Sequence, residues 1–191
     1  MEDMTALMAK VLHGDETAFS AIVTETEKTV YRYLFSILHN REDALDVAQE
    51  TYLRLWRTRS SYRGDCAVGT WVLRIAHNCA VDHLRAAGKH STLPLVVTDD
   101  EGTETPTDPP DPDINSNPAA ALARKEKRQA VRRAIDSLTP EQREIIILRD
   151  YDGRSYEEIA SLLGIEQGTV KSRLNRARNS IRKFLISGNF F

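Results

Sequence analysis

Residues 155–178 read SYEEIASLLGIEQGTVKSRLNRAR, and this stretch decides the fold of the C-terminal part of the chain. Ser155, followed three residues later by Glu158, forms the capping-box pattern of a helix start. Gly164 stands where a tight turn between two helices requires a positive φ, and Ile165 is expected to fill the angle between them. The pattern predicts a helix-turn-helix unit.

The second helix of this unit is expected to begin near Gln167 and to have two different sides. The apolar residues share one stripe: Val170, Leu174, Ala177, Ile181 and Leu185. Short polar groups and cations occupy or flank the other side: Thr169, Lys171, Ser172, Arg173, Arg176, Arg178, Arg182 and Lys183. Such groups near a helix start suit base edges in the major groove, and neighbouring cations suit phosphates. The pattern indicates DNA binding; a merely solvated basic face is the other interpretation.

The charge of the chain is unevenly distributed. The 191 residues carry a formal net charge of −2, which separates into −2 over residues 1–88, −6 over residues 89–118 and +6 over residues 119–191. A basic segment in a near-neutral chain marks a surface for a polyanion. No apolar run approaches the roughly 18 residues of a membrane span, and the acidic start MEDMTALMAK does not resemble a secretory signal. A cytoplasmic protein is expected.

Proline and carboxylate side chains concentrate in residues 89–118, which hold six of the seven prolines and seven acidic residues. Such a stretch buries too little apolar surface to offset its ordering entropy, so it predicts a flexible linker. The flanking residues 1–88 and 119–191 show helical periodicity and no strand alternation. The sequence therefore predicts an all-α chain of two small helical domains joined by an acidic, proline-rich linker.

Helix start signals divide the two domains into elements. Asp15 and Asn40 are placed to cap two helices of the N-terminal domain. A third helix of that domain is expected to begin near Thr70. In the C-terminal domain, Thr139 followed by Pro140 predicts a further helix start, because proline is favoured at the first helical position.

The helix after Asn40 carries an unusual acidic and amide patch. Its buried face is predicted to consist of Leu45, Ala48, Tyr52 and Leu55. The patch lies on another face and consists of Asp46, Gln49 and Glu50, with Asp43 one turn earlier. Neighbouring like charges on a helix cost a few tenths of a kcal/mol. Either the cations of a partner or solvent can offset this cost, and the pattern alone favours solvent.

Residues 61–89, SYRGDCAVGTWVLRIAHNCAVDHLRAAGK, combine a polar loop with a polar helix face. The loop carries Tyr62, Arg63 and Asp65, and the helix face carries Arg74, Asn78, Asp82 and Arg85. Aromatic and amide groups beside arginine suit a single-stranded or flipped base better than a closed duplex. Packing in the core is the alternative for the aromatic rings of Tyr62 and Trp71.

Three of these stretches, in this order, resemble one protein family. DALDVAQETYLRLW resembles region 2.2, SYRGDCAVGTWVLRIAHNCAVDHLR resembles regions 2.3 and 2.4, and LTPEQREIIILRDYDGRSYEEIASLLGIEQGTVKSRLNRAR resembles region 4 of the sigma-70 family. With HGDETAFSAIV and VYRYLFSIL they cover nearly all of the chain except the linker and the extreme ends. The chain is similar to the extracytoplasmic-function (ECF) sigma factors, and most similar to their sigma-E-like branch.

The resemblance implies a promoter-specificity subunit that is not an enzyme and needs no cofactor or metal. It assigns contacts with the β′ clamp helices of core RNA polymerase to Asp43, Asp46, Gln49 and Glu50. It assigns melting and reading of the −10 element to Tyr62, Arg63, Asp65, Arg74, Asn78 and Asp82. It assigns reading of the −35 duplex to Thr169, Lys171, Ser172, Arg173, Arg176 and Arg178. The C-terminal domain would also meet the flap of the β subunit.

The resemblance also implies a regulatory partner and a location. Members of the family are usually inhibited by an anti-sigma factor, often membrane-anchored, so we expect a cytoplasmic, nucleoid-associated protein held at the inner membrane until a stress or envelope signal releases it. The chain departs from the family in residues 66–69, which read CAVG where the family usually has an aromatic residue, and Val68 and Gly69 are expected to reshape the −10 loop. The acidic linker either mimics nucleic acid in the RNA-exit region or serves as a tether.

Two other function classes share single features with this sequence. A response-regulator activator shares the helix-turn-helix, but it requires an α/β receiver domain, and residues 1–88 show no strands. A helical metal-dependent phosphohydrolase would need a ligand set, for which Cys66, His77, Cys79 and His83 are the candidates. His77 and Cys79 are two residues apart and point away from each other on a helix. The sequence also lacks a CxxC pair, so neither a zinc ribbon nor a disulfide framework is indicated.

Overall fold

The computed structural model describes residues 3–88 and 118–188, with side chains from residue 126 onward in the second segment. These residues form eight α-helices: α1 Met4–Leu12, α2 Glu16–Leu38, α3 Arg41–Thr58, α4 Val68–Ala86, α5 Pro118–Asp136, α6 Pro140–Ile146, α7 Tyr156–Leu163 and α8 Gln167–Ser187. A 3₁₀ turn follows α3 at Arg59–Ser61, and no strand occurs in the described ranges. The predicted all-α fold is confirmed, whereas nearly all of the predicted linker lies outside the described residues.

The helices begin where the capping signals predict. The side chain of Asp15 accepts hydrogen bonds from two backbone N–H groups of the first turn of α2, at 2.9 and 3.0 Å. Asn40 does the same for α3 at 2.8 and 3.2 Å, and Thr139 accepts one such bond at 3.4 Å ahead of α6. These bonds satisfy donors that have no partner within the helix. Helix α4 begins at Val68, slightly before the predicted start near Thr70.

Helices α1–α4 enclose the core of the N-terminal domain, and the buried side of α3 differs from the prediction. The buried residues of α3 are Ala44, Val47, Thr51 and Leu55. Leu45, which was predicted to be buried, is 44% exposed, so that prediction was wrong. The contact stripe of α3 begins one residue earlier than predicted because α3 packs against both α2 and α4. Thr51 fits the core because its hydroxyl donates to the backbone oxygen of Val47 at 2.7 Å.

Helices α5–α8 form the C-terminal domain, whose core includes Ile145, Leu148, Ile159 and Leu174. Helix α6 continues directly into a π-helical turn, Ile147–Tyr151. At its end, the backbone N–H of Asp152 donates to the oxygen of Ile147 at 2.9 Å, one residue further back than in an α-helix. No sequence signal predicted this turn.

The two domains pack against each other. Helix α4 lies against α7, and α2 lies against α6 and the π-helical turn. Buried residues of both domains belong to one apolar cluster. The first helix of the helix-turn-helix therefore faces the N-terminal domain.

Candidate nucleic-acid interface

The helix-turn-helix has the geometry that its sequence predicts. The backbone N–H of Glu158 donates to the Ser155 hydroxyl at 3.1 Å, and the backbone N–H of Ser155 donates to the Glu158 carboxylate at 2.8 Å. This reciprocal pair is the predicted capping box. Gly164 ends α7 with φ 64° and ψ 34°, the left-handed conformation that the turn requires. Ile165 packs against the core, and α8 begins two residues later.

Helix α8 presents a cationic surface to solvent. Val170, Leu174 and Ala177 are buried, as predicted, while Lys171 and Arg176 are exposed on its polar side. Thr169, Ser172 and Arg173 are half-buried between these two sides. The exposed part of α8 thus combines flexible cations with short polar groups, the combination that major-groove contacts use.

Two of the predicted DNA contacts on α8 have partners within the domain. Arg178 forms a forked ion pair with Asp150 of the π-helical turn, with N–O distances of 2.5 and 3.3 Å. Lys171 lies over one face of the Tyr156 ring, with its nitrogen 5.7 Å from the ring centroid. The guanidinium of Arg149 lies 4.9 Å from the same centroid. Tyr156 was missed by the sequence interpretation because no spacing rule relates it to α8.

The loop before α4 is held by an aromatic pair. The Tyr62 ring lies 5.1 Å from the Trp71 ring, and the Tyr62 hydroxyl donates to the backbone oxygen of Cys66 at 2.7 Å. Tyr62 is half-buried, as the core-packing alternative expects, whereas Arg63 and Asp65 are exposed. The loop is therefore anchored to the domain through Tyr62, while its polar side chains face solvent.

The polar face of α4 is divided between solvent and the C-terminal domain. Asn78 is exposed. Asp82 is exposed and lies 3.0 Å from Arg54 of α3. Arg74 instead donates to the hydroxyl of Ser161 on α7 at 2.5 Å. The polar face of α4 is thus exposed at Asn78 and Asp82, whereas α7 covers the part around Arg74.

The acidic and amide patch on α3 is less uniform than its sequence suggests. Asp46 and Gln49 are exposed. Glu50 pairs with Arg54 at 3.3 Å, and Asp43 lies 3.5 Å from the ring nitrogen of His83 on α4. Asp46 and Gln49 can therefore contact a partner directly, whereas Glu50 and Asp43 would first have to leave the partners described above.

An apolar groove adjoins this patch, and the sequence interpretation missed it. The groove lies between α2 and α3, has a volume of about 760 Å³ and includes Phe19, Gln49, Tyr52, Leu53 and Trp56 in its lining. The Phe19 and Trp56 rings are 5.0 Å apart, and Leu53 is 52% exposed. We call these five residues the α2–α3 groove. An exposed leucine beside two aromatic rings in contact is typical of a protein-binding surface.

The four candidate metal ligands do not gather into one site. The Nδ1 atom of His77 lies 2.9 Å from both the Tyr33 hydroxyl and the Glu144 carboxylate. Cys79 is buried, and His83 faces Asp43. Within residues 3–88 and 118–188 no group of three or more metal-ligating side chains gathers. Over the same ranges, no helix combines the length and hydropathy of a membrane span.

Glu158 gives the helix-turn-helix a dependence on pH. Burial favours its neutral form, but hydrogen bonds from the Ser155 backbone, Thr70 and Arg154 outweigh burial and lower the pKa to about 2. A carboxylate with a depressed pKa stabilises the fold above its unfolded pKa of 4.5, and that contribution is lost as the pH falls towards about 2. We expect urea denaturation to show a smaller loss of stability below pH 4.5 in Glu158→Gln than in the unchanged chain. Parallel stability curves would contradict this assignment.

Comparison with known proteins agrees with the two-domain reading. Residues 22–90 match the family model of sigma-70 region 2, and residues 128–181 match that of sigma-70, region 4. The RNA polymerase sigma-H factor of Pseudomonas aeruginosa is 35% identical over 183 residues, covering 94% of this chain and 92% of the relative. The ECF RNA polymerase sigma-E factors of Salmonella typhimurium and Escherichia coli are 37% identical over 191 residues, covering 92% of this chain and 90% of each relative.

Solved structures share the fold. The chain superposes on CnrH, solved in complex with the cytosolic domain of CnrY, with a TM-score of 0.66, 22% identity and coverage of 95% of this chain and 96% of CnrH. For the sigma factor RpoE from Bartonella quintana, solved with the anti-sigma factor NepR, the TM-score is 0.62 at 25% identity, with coverage of 87% and 96%. With relatives above a third identical along nearly its whole length, the chain belongs to the extracytoplasmic-function group of the sigma-70 family of RNA polymerase sigma factors, which are transcription initiation factors and not enzymes.

Proposed function

We propose that three surfaces of this chain divide the work of a sigma factor. The exposed side of α3, with the α2–α3 groove, binds core RNA polymerase. The loop before α4 and the polar face of α4 bind the melted −10 element. The exposed side of α8 reads the −35 element as duplex DNA. The observation that carries the proposal is the capped helix-turn-helix whose second helix exposes Lys171 and Arg176.

The assignment of α8 to duplex DNA is supported by its geometry and charge. Its N-terminal half follows the left-handed turn at Gly164 directly, which is the arrangement that places a recognition helix in the major groove. Arg176 is exposed and is therefore suited to contact a base edge. Arg178 is held by Asp150, and this favours a role on phosphate, or in orienting the domain, over base readout.

Replacing Arg176 with alanine is expected to reduce discrimination between the cognate −35 sequence and a mutated one by about 1–3 kcal/mol, because a guanidinium that bonds a base edge is lost. Competition binding of holoenzyme to promoters with the two −35 sequences measures this difference. The matched control is Arg182→Ala, which removes an exposed cation further along α8. An equal loss of affinity for both promoters would make Arg176 a phosphate contact.

The assignment of the −10 surface rests on the exposed groups of the N-terminal domain. Arg63, Asp65 and Asn78 are exposed on the loop and on α4. Tyr62 supports them by packing on Trp71 and bonding the backbone at Cys66. Such a surface has polar and cationic groups for a base that has left the stack, as strand opening requires. Asp82 and Arg74 join this surface when they exchange their protein partners, Arg54 and Ser161, for DNA.

Contact with the clamp helices of β′ is assigned to Asp46, Gln49 and Glu50, and Asp43 supports α3 through His83. The α2–α3 groove adds what the charged residues lack, an apolar centre that excludes water. Interfaces typically place such a centre inside a polar rim. The chain therefore offers core polymerase both charge recognition and apolar contact area.

Transcription by purified components tests the proposed function. Core RNA polymerase with this chain is expected to start transcripts at defined positions of a genomic template, and core polymerase alone is the control. Mapping the transcript starts identifies the −35 and −10 sequences. Absence of promoter-dependent starts would contradict the proposal.

Regulation by an anti-sigma factor is part of the proposal. CnrH was solved with the cytosolic domain of CnrY, and RpoE from Bartonella quintana with the anti-sigma factor NepR. By analogy, we propose that this chain acts in the bacterial cytoplasm, on the nucleoid, in a stress or envelope response. An anti-sigma factor, membrane-anchored in this proposal, holds it at the inner membrane until a signal arrives.

A further inference from the structure

Tyr156, the first residue of α7, contacts cations from two other elements. The ammonium nitrogen of Lys171 on α8 lies 5.7 Å from the centroid of its ring, and the guanidinium of Arg149, in the π-helical turn, lies 4.9 Å from the same point. The face of an aromatic ring carries partial negative charge and attracts cations. Tyr156 is half-buried and packs against the apolar core, which fixes the position of its ring. The ring therefore limits where the two cations lie.

The two cations differ in what else holds them. Arg149 is half-buried and donates to the backbone oxygen of Arg154 at 2.6 Å, so its guanidinium is held without the ring. Lys171 is exposed, and in the part of the chain that the structure describes no carboxylate forms an ion pair with it. The charge of Lys171 is therefore available to an anion, and the Tyr156 ring is the contact that restrains its side chain.

The position of this contact indicates which part of the DNA Lys171 meets. In a helix-turn-helix the second helix enters the major groove, while the first helix crosses the DNA backbone. Tyr156 is the first residue of the first helix, and Lys171 belongs to the second. A lysine of α8 whose ammonium lies near the start of α7 is placed towards the backbone, away from the base edges in the groove. Phosphate is the group that a single ammonium binds best there.

We propose that Tyr156 is a positioning residue, which holds Lys171 ready for one backbone phosphate of the −35 duplex. Lys171 then adds affinity on any sequence and does not discriminate between bases, in contrast to the reading role that the resemblance gave it. The inference rests on the proposed function of α8. A free lysine side chain loses rotamer entropy when a phosphate fixes it, and restraint by the ring before binding reduces that cost. The Tyr156 hydroxyl has no part in this, because the contact is made by the ring.

The first measurement is promoter binding by holoenzyme that carries Lys171→Gln. The probes are duplexes of a promoter mapped in the transcription experiment, with its −35 sequence intact or mutated. We expect the affinity for both probes to fall by the same factor, and the slope of log affinity against log salt concentration to become shallower by about 0.9, the value for one phosphate contact. Lys28→Gln, which removes an exposed lysine of α2, is the control and should change neither quantity. A loss confined to the intact −35 sequence, or an unchanged slope, would overturn the proposal.

The second measurement is a double-mutant cycle between Tyr156 and Lys171 with the same probes. Tyr156→Phe keeps the ring, so we expect it to bind like the unchanged chain. Tyr156→Leu removes the ring but keeps an apolar side chain against the core, and it should bind both probes about two- to fivefold more weakly. In the Lys171→Gln background, Tyr156→Leu should cause no further loss. An equal loss in both backgrounds would show that Tyr156 acts without Lys171, and this would overturn the positioning role.

Two further comparisons keep the outcomes distinct. Circular dichroism and thermal transitions show whether each variant is folded, and Tyr156→Met replaces Tyr156→Leu if the latter does not fold, because an unbranched side chain adapts to the space without supplying a ring. Failure of the proposed function would appear in the unchanged holoenzyme, as equal affinity for the intact and the mutated −35 sequence. A preference for the intact sequence, together with no effect of Tyr156→Leu, would show that the proposed function stands and that the positioning role is wrong.

Discussion

Replacing Arg143 with alanine is expected to lower the free energy of unfolding of the C-terminal domain by about 3–5 kcal/mol. Arg143 is only 6% exposed. Its guanidinium donates to the backbone oxygens of Ile135, Asp136 and Leu138 at 3.1, 2.6 and 3.1 Å, and to that of Ser36 at 3.4 Å. The oxygen of Ile135 also accepts from the backbone N–H of Leu138 at 3.1 Å, but no helical turn follows to bond the oxygens of Asp136 and Leu138, so alanine would remove their donor.

Urea denaturation followed by circular dichroism measures this loss. Arg143→Lys is the first comparison: a single ammonium keeps the charge but cannot bond three diverging oxygens, so an intermediate loss is expected. Arg133→Ala, an exposed arginine of α5, is the control and should change the stability by less than about 0.5 kcal/mol. Equal effects of Arg143→Ala and Arg133→Ala would show that the bonds of Arg143 contribute nothing to stability.

Replacing Leu53 with glutamate is expected to weaken binding to core RNA polymerase by about 2–4 kcal/mol, roughly 30- to 1,000-fold in the dissociation constant. Leu53 is 52% exposed in the free chain and lies in the α2–α3 groove beside Trp56. A carboxylate there would have to leave water when the polymerase covers the groove, and the lining of the groove contains no lysine or arginine. The fold should be preserved because the substituted side chain already faces solvent.

Competition for core polymerase against a labelled sigma factor measures the affinity. Leu12→Glu is the control, since Leu12 is an exposed leucine of α1, 40% accessible, that does not line the groove. Transcription should recover when the Leu53→Glu variant is added in excess, because only assembly is impaired. Unchanged competition by Leu53→Glu would remove the groove from the polymerase interface.

The sequence predicted best what short-range chemistry determines. The capping box of Ser155 and Glu158 and the left-handed turn at Gly164 depend on residues a few positions apart, and both were predicted correctly. The predicted buried stripe of α3 was shifted by one residue, so Leu45 was predicted to be buried although it is exposed. Apolar residues recur along α3 at spacings compatible with two neighbouring stripes, and only packing against α2 and α4 selects between them.

Contacts between residues that are far apart in the sequence could not be predicted from it. Thr70 and Glu158 are separated by 88 positions, and nothing local marks Thr70 as a partner of a capping carboxylate. The same holds for Tyr33 and Glu144. The α2–α3 groove was missed for a related reason, because its lining comes from two helices whose relative rotation sets which aromatic rings reach the surface.

The π-helical turn Ile147–Tyr151 contains one more residue than an α-helical turn, and this extra residue sets the rotation of the chain that follows. On one side of it Asp150 reaches Arg178 of α8, and immediately after it Asp152 reaches Arg32 of α2. Deleting one residue here would restore ordinary helical winding and rotate the following segment by about 100° around the axis of α6. Both ion pairs would be lost together, so the orientation of α8 and the docking of the two domains both depend on a single inserted residue.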